Sequence, residues 1–237
     1  SYNLSFDNGC SDITIADNCY NIEFRNGCEN ITIAESSFNV KIGQGSSYIE
    51  LGDSSGGVNH IDIGQGCGGD GQDIVIAGGS YCIEIADYTN TINILAASYC
   101  IDIGLECYDI EMAGAYGIRI GSGGTRISLG NAEFVTIEEG CTDIILGANC
   151  FSMSFGNQCK YITLPEKSRN NTFLSGTYIF PSGTVKDFTD SLVTEIIDGS
   201  HIIHRRVGTK IVGTYLEEQS DGSFVEVHAE DIIGVSL

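Results

Sequence analysis

The chain has 237 residues, 42% of them hydrophobic, which is enough for a substantial core and excludes a wholly disordered polymer. It carries 31 glycines, 2 prolines, 10 cysteines, no tryptophan and a net charge of −21, and no apolar run approaches the ~20 residues of a membrane-spanning helix. That charge repels nucleic acid and anionic membrane surfaces, so neither nucleic-acid binding nor membrane insertion is expected.

In chain order, the first signal is a repeat. A pair of apolar residues separated by one other, Ile-x-Ile or a close relative, starts at Leu4, Ile13, Ile22, Ile31, Val40 and Ile49, always nine residues apart. Longer steps lead to Ile61 and Ile74. The rhythm then resumes through Ile83, Ile92, Ile101, Ile110, Ile118, Ile127, Val135, Ile144, Met153 and Ile162, giving 18 copies. No helical period produces this spacing, whereas a short strand with alternate residues inward does. The expected fold is all-β: a parallel β-helix (β-solenoid) of about 18 nine-residue rungs. Two units per turn would give a stack of roughly 43 Å and three units roughly 29 Å, at ~4.8 Å per strand spacing.

Each unit has slots with assignable roles. The apolar pair faces inward, and the residue between its members (Thr14, Glu23, Lys41, Asp62) faces solvent. Ala or Gly follows the strand (Ala16, Gly43, Gly64) and lets the chain bend, with Gly free to take positive φ. Asn or Asp stands just before the pair (Asn3, Asp12, Asn21, Asn30) and suits a turn position. The scarcity of proline fits continuous ladders, which need every backbone N–H. Two insertions, Asp53–His60 and Gly66–Asp73, are expected to bulge from one region of the surface.

Three residues before the pair lies a slot that holds Cys10, Cys19, Cys28, Cys107, Cys141, Cys150 and Cys159 in some units and Ser or Ala in others. Exchange with Ser and Ala argues for a stack of small, buried thiols. Disulfides between stacked units remain open on distance, and zinc lacks the paired ligand spacing it needs.

The sharpest metal motif is Gly68–Ile76, a single near-copy of the calcium-binding nonapeptide, in which Asp70 and Asp73 would supply carboxylates. A lone copy reads better as a Gly-rich insertion, so no cofactor is expected, and a calcium-stabilised β-roll is a minor alternative. Paired carboxylates are the enzymatic alternative: Asp62, Glu84, Asp102 and Glu111 share an outward slot and could serve a polysaccharide hydrolase or lyase. Carboxylates are spread over the whole repeat, however, with 21 acids against 4 bases in residues 1–157, which favours a solubilising coat and no catalysis. Tyrosines before the strands (Tyr20, Tyr48, Tyr81, Tyr99, Tyr108, Tyr116, Tyr161) could stack sugar rings or simply shield the coil. His60, His201, His204 and His228 form no recognisable chelate.

After about residue 167 the repeat stops. Runs Ser191–Ile197, His201–Val207, Lys210–Leu216 and Ser223–Val227, separated by Asp198-Gly199, Gly208 and Asp221-Gly222, predict antiparallel hairpins. The domains expected are therefore a solenoid over 1–167 and a small antiparallel β module over 168–237 that caps, trimerises or forms a tip. Leu4 already lies within a repeat, from which an upstream segment or docking partner is expected.

The repeated G/N-x-C-x-N/D-I-x-I-G/A unit, as in Asn18-Cys19-Tyr20-Asn21-Ile22 and Gly27-Cys28-Glu29-Asn30-Ile31, resembles the Cys-containing repeats of tail-fibre and tail-appendage proteins of bacteriophages infecting gut Bacteroides-type bacteria. The resemblance covers roughly residues 1–165. It implies an extracellular, virion-borne fibre, trimeric and joined to an upstream fibre segment, which attaches to a glycan or protein receptor on the host surface without catalysis. It transfers no functional residues.

Overall fold

The computed structural model describes residues 1–53, 55–68, 74–147 and 149–163, together with the backbone of strands between 171 and 228. The first nine strands are β1 (Tyr2–Phe6), β2 (Ser11–Ile15), β3 (Tyr20–Phe24), β4 (Glu29–Ile33), β5 (Phe38–Ile42), β6 (Ser47–Leu51), β7 (Asn59–Ile63), β8 (Ile74–Ile76) and β9 (Tyr81–Ile85). The next nine are β10 (Asn90–Ile94), β11 (Ser98–Ile103), β12 (Tyr108–Met112), β13 (Ala115–Ile120), β14 (Thr125–Leu129), β15 (Glu133–Ile137), β16 (Thr142–Leu146), β17 (Phe151–Phe155) and β18 (Cys159–Thr163). Odd-numbered strands pair in parallel in one sheet and even-numbered strands in a second. Two units therefore complete one turn, and the eighteen repeats build nine coils of a flattened, two-sided parallel β-solenoid.

The register is constant. Ile22 pairs with Leu4 and Val40, and Ile31 with Ile13 and Ile49, so equivalent slots stack in columns along the axis. The two inward residues of each strand fill the space between the sheets. Ile33, Ile63, Ile94 and Ile120 are fully buried, and Phe24 and Phe155 are the largest buried side chains. Each such burial contributes about 1.5–3 kcal/mol. Leu4, Phe6, Cys10 and Ile13, in the first coil, pack on this core while half-buried.

Two slots differ from their expected roles. The Asn/Asp before the apolar pair lies inside the strand and adopts the left-handed conformation, with φ of 56° at Asn3, 55° at Asn21 and 54° at Asn39. This kink turns two successive side chains outward and lets amides stack. Asn21 Nδ2 donates to Asn3 Oδ1 at 2.8 Å, Asn39 donates to Asn21 at 2.9 Å, and Asn30 donates to Asp12 at 2.8 Å on the other sheet. The glycine directly after the strand serves close approach between coils: a Cβ at Gly43 would lie 2.5 Å from the Arg25 carbonyl carbon. Gly52 takes positive φ directly after its strand, at 81°, whereas at Gly9, Gly27 and Gly45 positive φ falls two residues beyond that slot.

The insertions do not share one region. The first lies between β6 and β7, where Asp53 and Gly56 form an antiparallel bridge, at the corner leading from the second sheet to the first. The second lies between β7 and β8, at the opposite corner. Its residues 69–73, including the calcium candidates Asp70 and Asp73, fall outside the described residues.

Toward the C-terminus, β19 (Asn171–Phe173) pairs with β17 and β20 (Gly176–Ile179) with β18, both in parallel. Antiparallel pairing follows: β21 (Val185–Phe188) with β20, β22 (Leu192–Ile197) with β19, and β23 (Ser200–Val207) with β22. A two-residue β24 (Lys210–Ile211) adds to β23, and β25 (Thr214–Glu218) pairs antiparallel with β26 (Phe224–His228). The expected boundary at 167/168, and the side chains of His201, His204 and His228, lie outside the described residues.

The amide column yields a stability prediction. Asn21→Ala removes two ladder hydrogen bonds and places a Cβ-bearing residue without a compensating amide at φ 55°. Urea denaturation should show a loss of about 1–2 kcal/mol, with Asn21→Gly losing less because glycine takes this conformation without strain.

Candidate functional site

The corner slot three residues before the pair is inward, as the Cys/Ser/Ala exchange predicts, but it also has a polar task. Corners turn carbonyls toward the interior, and where the slot holds Cys or Ser its side chain donates to them. Cys28 Sγ donates to Arg25 O at 3.1 Å, Cys150 Sγ to Leu129 O at 3.4 Å, and Cys159 Sγ to Glu138 O at 3.2 Å. Serines do the same: Ser46 Oγ to Gly43 O at 2.9 Å and Ser80 Oγ to Ala77 O at 2.8 Å. The serine oxygens also accept, from the N–H of Cys28 and of Val58. Cys67 occupies this slot as well, donating to Gly43 O at 3.3 Å, although the insertion after it hides the spacing.

All ten cysteines are free thiols. The slot alternates between two corners, so same-column cysteines are coil neighbours only in pairs such as Cys10/Cys28 and Cys141/Cys159. Cys19 is followed in its column by Ser37 and Cys150 is preceded by Ala132. Burial pushes the Cys67 and Cys150 thiols up and raises Cys107 to about 11. A hydrogen bond to Cys159, together with burial, raises Cys141.

Outside, the first sheet carries a shallow open groove. One wall is the kinked column Asn3, Asn21, Asn39, His60, Cys82, Cys100; the other is Ser5, Glu23, Lys41, Asp62, Glu84, Asp102. Two stretches of about 420 and 490 Å³ share Asn39 and Lys41, so the groove is continuous over six coils. The carboxylates of the enzymatic alternative divide here. Asp62, Glu84 and Asp102 stack in register along the wall, one strand spacing apart. Glu111 pairs with Asn93 on the second sheet and faces away from them, because each coil contains two units and the shared slot alternates between faces.

Arg119 follows Asp102 in the same column and ends the acidic run, reaching Asp102 at 2.7 Å and Glu138 at 2.6 Å. Those bonds, to Asp102 first, raise the arginine's pKa. On the second sheet Arg126 donates side-on to both Asp109 oxygens, from Nε to Oδ1 and from Nη2 to Oδ2, which lowers the carboxyl's pKa, and it also lies over the Tyr108 ring.

Beside the groove runs an aromatic column. Tyr2 and Tyr20 stack at 5.2 Å, Tyr81 and Tyr99 at 5.1 Å, and ring contacts continue from Tyr99 to Tyr116 and then, through Phe134 of the kinked column, to Phe151. In the parallel stacks the rings present their faces to one another along the axis and their edges to solvent, so they reinforce neighbouring coils instead of offering flat sugar platforms. Tyr48 and Tyr161 belong to the kinked slot of the second sheet.

Among the described residues no group of three or more His, Cys, Asp or Glu side chains is placed to hold a metal ion. No protein-family model matches the chain. No curated protein matches it. No solved structure matches it. What the molecule displays is a Cys-containing parallel β-solenoid of repeating strands.

The raised thiol pKa sets an alkaline dependence. Folded Cys107 keeps its proton to about pH 11, whereas the unfolded chain releases it near 9.0, so the native state binds more protons between those values. Stability is therefore whole below pH 9 and declines as pH rises toward 11. Denaturation midpoints measured across that window should fall, and Cys107→Ser should flatten the decline.

Proposed function

We propose that this chain is a structural and adhesive segment of an extracellular appendage of the tail-fibre kind: a stiff spacer whose first-sheet groove contacts an extended glycan on a host surface. The observation that carries this reading is the groove itself. It is open, runs along the axis over six coils, and is walled by hydrogen-bonding side chains fixed at one strand spacing. Such a surface suits a linear ligand lying along the rod. Its walls carry Glu23, Asp62, Glu84 and Asp102 against Lys41, with Arg119 bound to Asp102 at the end of the run, and this surplus of carboxylates favours neutral or amino sugars over sulfated or uronate-rich chains. Rigidity follows from the stacked ladders, and the acidic surface disfavours lateral association. In the assembly we propose, three copies associate through the region after residue 167.

A polysaccharide-cleaving role is the second reading, favoured by Asp62, Glu84 and Asp102 standing in register within the groove. Neighbours there are ~4.8 Å apart and next-neighbours ~9.6 Å, spacings near those used by paired-carboxylate glycosidases.

A glycan array with the full chain, followed by product analysis, tests both. The adhesive reading expects retention of neutral or amino-sugar polymers, loss of retention when Glu84 and Asp102 are changed to Lys, and no shortening of the glycan. Shortening abolished by Glu84→Gln would establish the cleaving role instead. Light scattering should give three times 25.3 kDa; a monomer at high concentration would contradict the fibre assembly.

A further inference from the structure

The groove holds a feature that neither adhesion nor solenoid packing uses. Of the ten thiols, Cys82 and Cys100 are exposed, and they are neighbours. Their flanking residues pair, Tyr81 with Tyr99 and Ile83 with Ile101, so Cys100 stands directly over Cys82 in the kinked column. Both have the same backbone conformation, φ 53° and 54°, so their side chains leave the sheet in the same direction. Asparagine fills this slot in the first three coils with amide ladders that relieve the left-handed conformation. Cysteine brings no such relief, so each of these positions is strained. Solvent exposure removes packing as the compensation.

We propose that Cys82 and Cys100 form a two-thiolate site for a soft, closed-shell metal ion of the Cu(I) class. Equivalent atoms on adjacent coils are ~4.8 Å apart, and a linear sulfur–metal–sulfur unit, with bonds somewhat shorter than the ~2.3 Å of tetrahedral zinc thiolates, spans a little over ~4 Å, within reach of the two side chains leaning slightly together. A tetrahedral ion needs its sulfurs at about 3.8 Å and two further ligands. A disulfide needs Cβ atoms within about 3.5–4.5 Å, closer than parallel side chains one strand spacing apart provide. The nearest further donor in the column, His60, stacks its ring on Phe38 at 4.3 Å, on the side away from Cys82. Thiolate is the ligand that selects Cu(I). Asp62 and Glu84 stand in the adjacent wall and draw cations to this face, while Asp102 is engaged by Arg119. On binding, both thiols release their protons to solvent and each sulfur forms one bond to the ion, with no change in oxidation state.

The test is anaerobic titration of the reduced full chain with Cu(I) against a chromophoric Cu(I) chelator, with X-ray absorption of the loaded protein. One ion per chain with a shell of two sulfurs is expected. Cys82→Ser and Cys100→Ser should each weaken binding by at least about 100-fold, while His60→Ala leaves it unchanged. Both serine variants should fold, since Ser152 occupies the same slot at φ 55°, and unchanged circular dichroism and melting would show this. Undiminished Cu(I) binding in the double serine variant would overturn the proposal. So would a nitrogen from His60 in the metal shell, or an 82–100 disulfide in protein purified without reductant.

Discussion

Each coil must return the chain to a point one strand spacing further along the axis, in the same register. Everything else in this molecule follows from that demand. It sets a coil of 17 or 18 residues wherever no insertion intervenes, keeps those corners to a few residues and places like upon like along the axis. A column of isoleucines profits from this, since every side chain meets a copy of itself. The corners do not, because they turn carbonyls toward a core that offers no water. In many coils the slot before the strand solves the problem with one small donor, and thiol and hydroxyl are interchangeable there because both supply a single X–H to a corner carbonyl. The cysteines are thus hydrogen-bonding corner residues as much as packing residues.

Stacking like upon like is dangerous for charges. Directly opposed carboxylates repel, and the acidic composition makes such contacts frequent. The structure answers in two ways. Amide columns exchange donor and acceptor along Asn3, Asn21 and Asn39, and arginines enter acidic columns where Arg119 joins Asp102 and Arg126 joins Asp109. Surface pairs of this kind stabilise little individually, yet they set which stretches of the wall stay uncompensated. Asp62 and Glu84 belong to such a stretch, beside the two exposed thiols, and this is where the groove differs most from the repeat around it.

Much of this was legible in the sequence. The nine-residue spacing of Ile13, Ile22 and Ile31 specifies short parallel strands, and the Cys/Ser/Ala exchange specifies a small inward slot. Two units or three per turn could not be decided, because a nine-residue period is the same in both. That ambiguity is why Glu111 looked like a companion of Asp102 although the two occupy opposite sheets. The kinked slot reads as a turn in the sequence because asparagine favours turns and left-handed backbone alike. Once its geometry is known, Tyr48, His60, Cys82, Cys100 and Phe134 are recognisable as members of the same slots. The groove was hidden for a simpler reason: it arises from two adjacent outward columns, and only the register makes them walls. The signal that could have exposed the thiol pair is Cys82 and Cys100 standing one residue before their apolar pairs, eighteen residues apart.

The central claim, a two-unit coil in strict register, can be tested on the native thiols. Cys82 and Cys100 are exposed, while seven of the other eight thiols are buried and Cys10 is half-buried. Nitroxide labels introduced on the native protein will therefore mark two adjacent coils. The account predicts strong spin–spin broadening from a pair of attachment points ~4.8 Å apart, which disappears in Cys100→Ser. Sharp spectra of isolated labels, or a dipolar distance beyond about 20 Å, would contradict the register on which the whole structure rests.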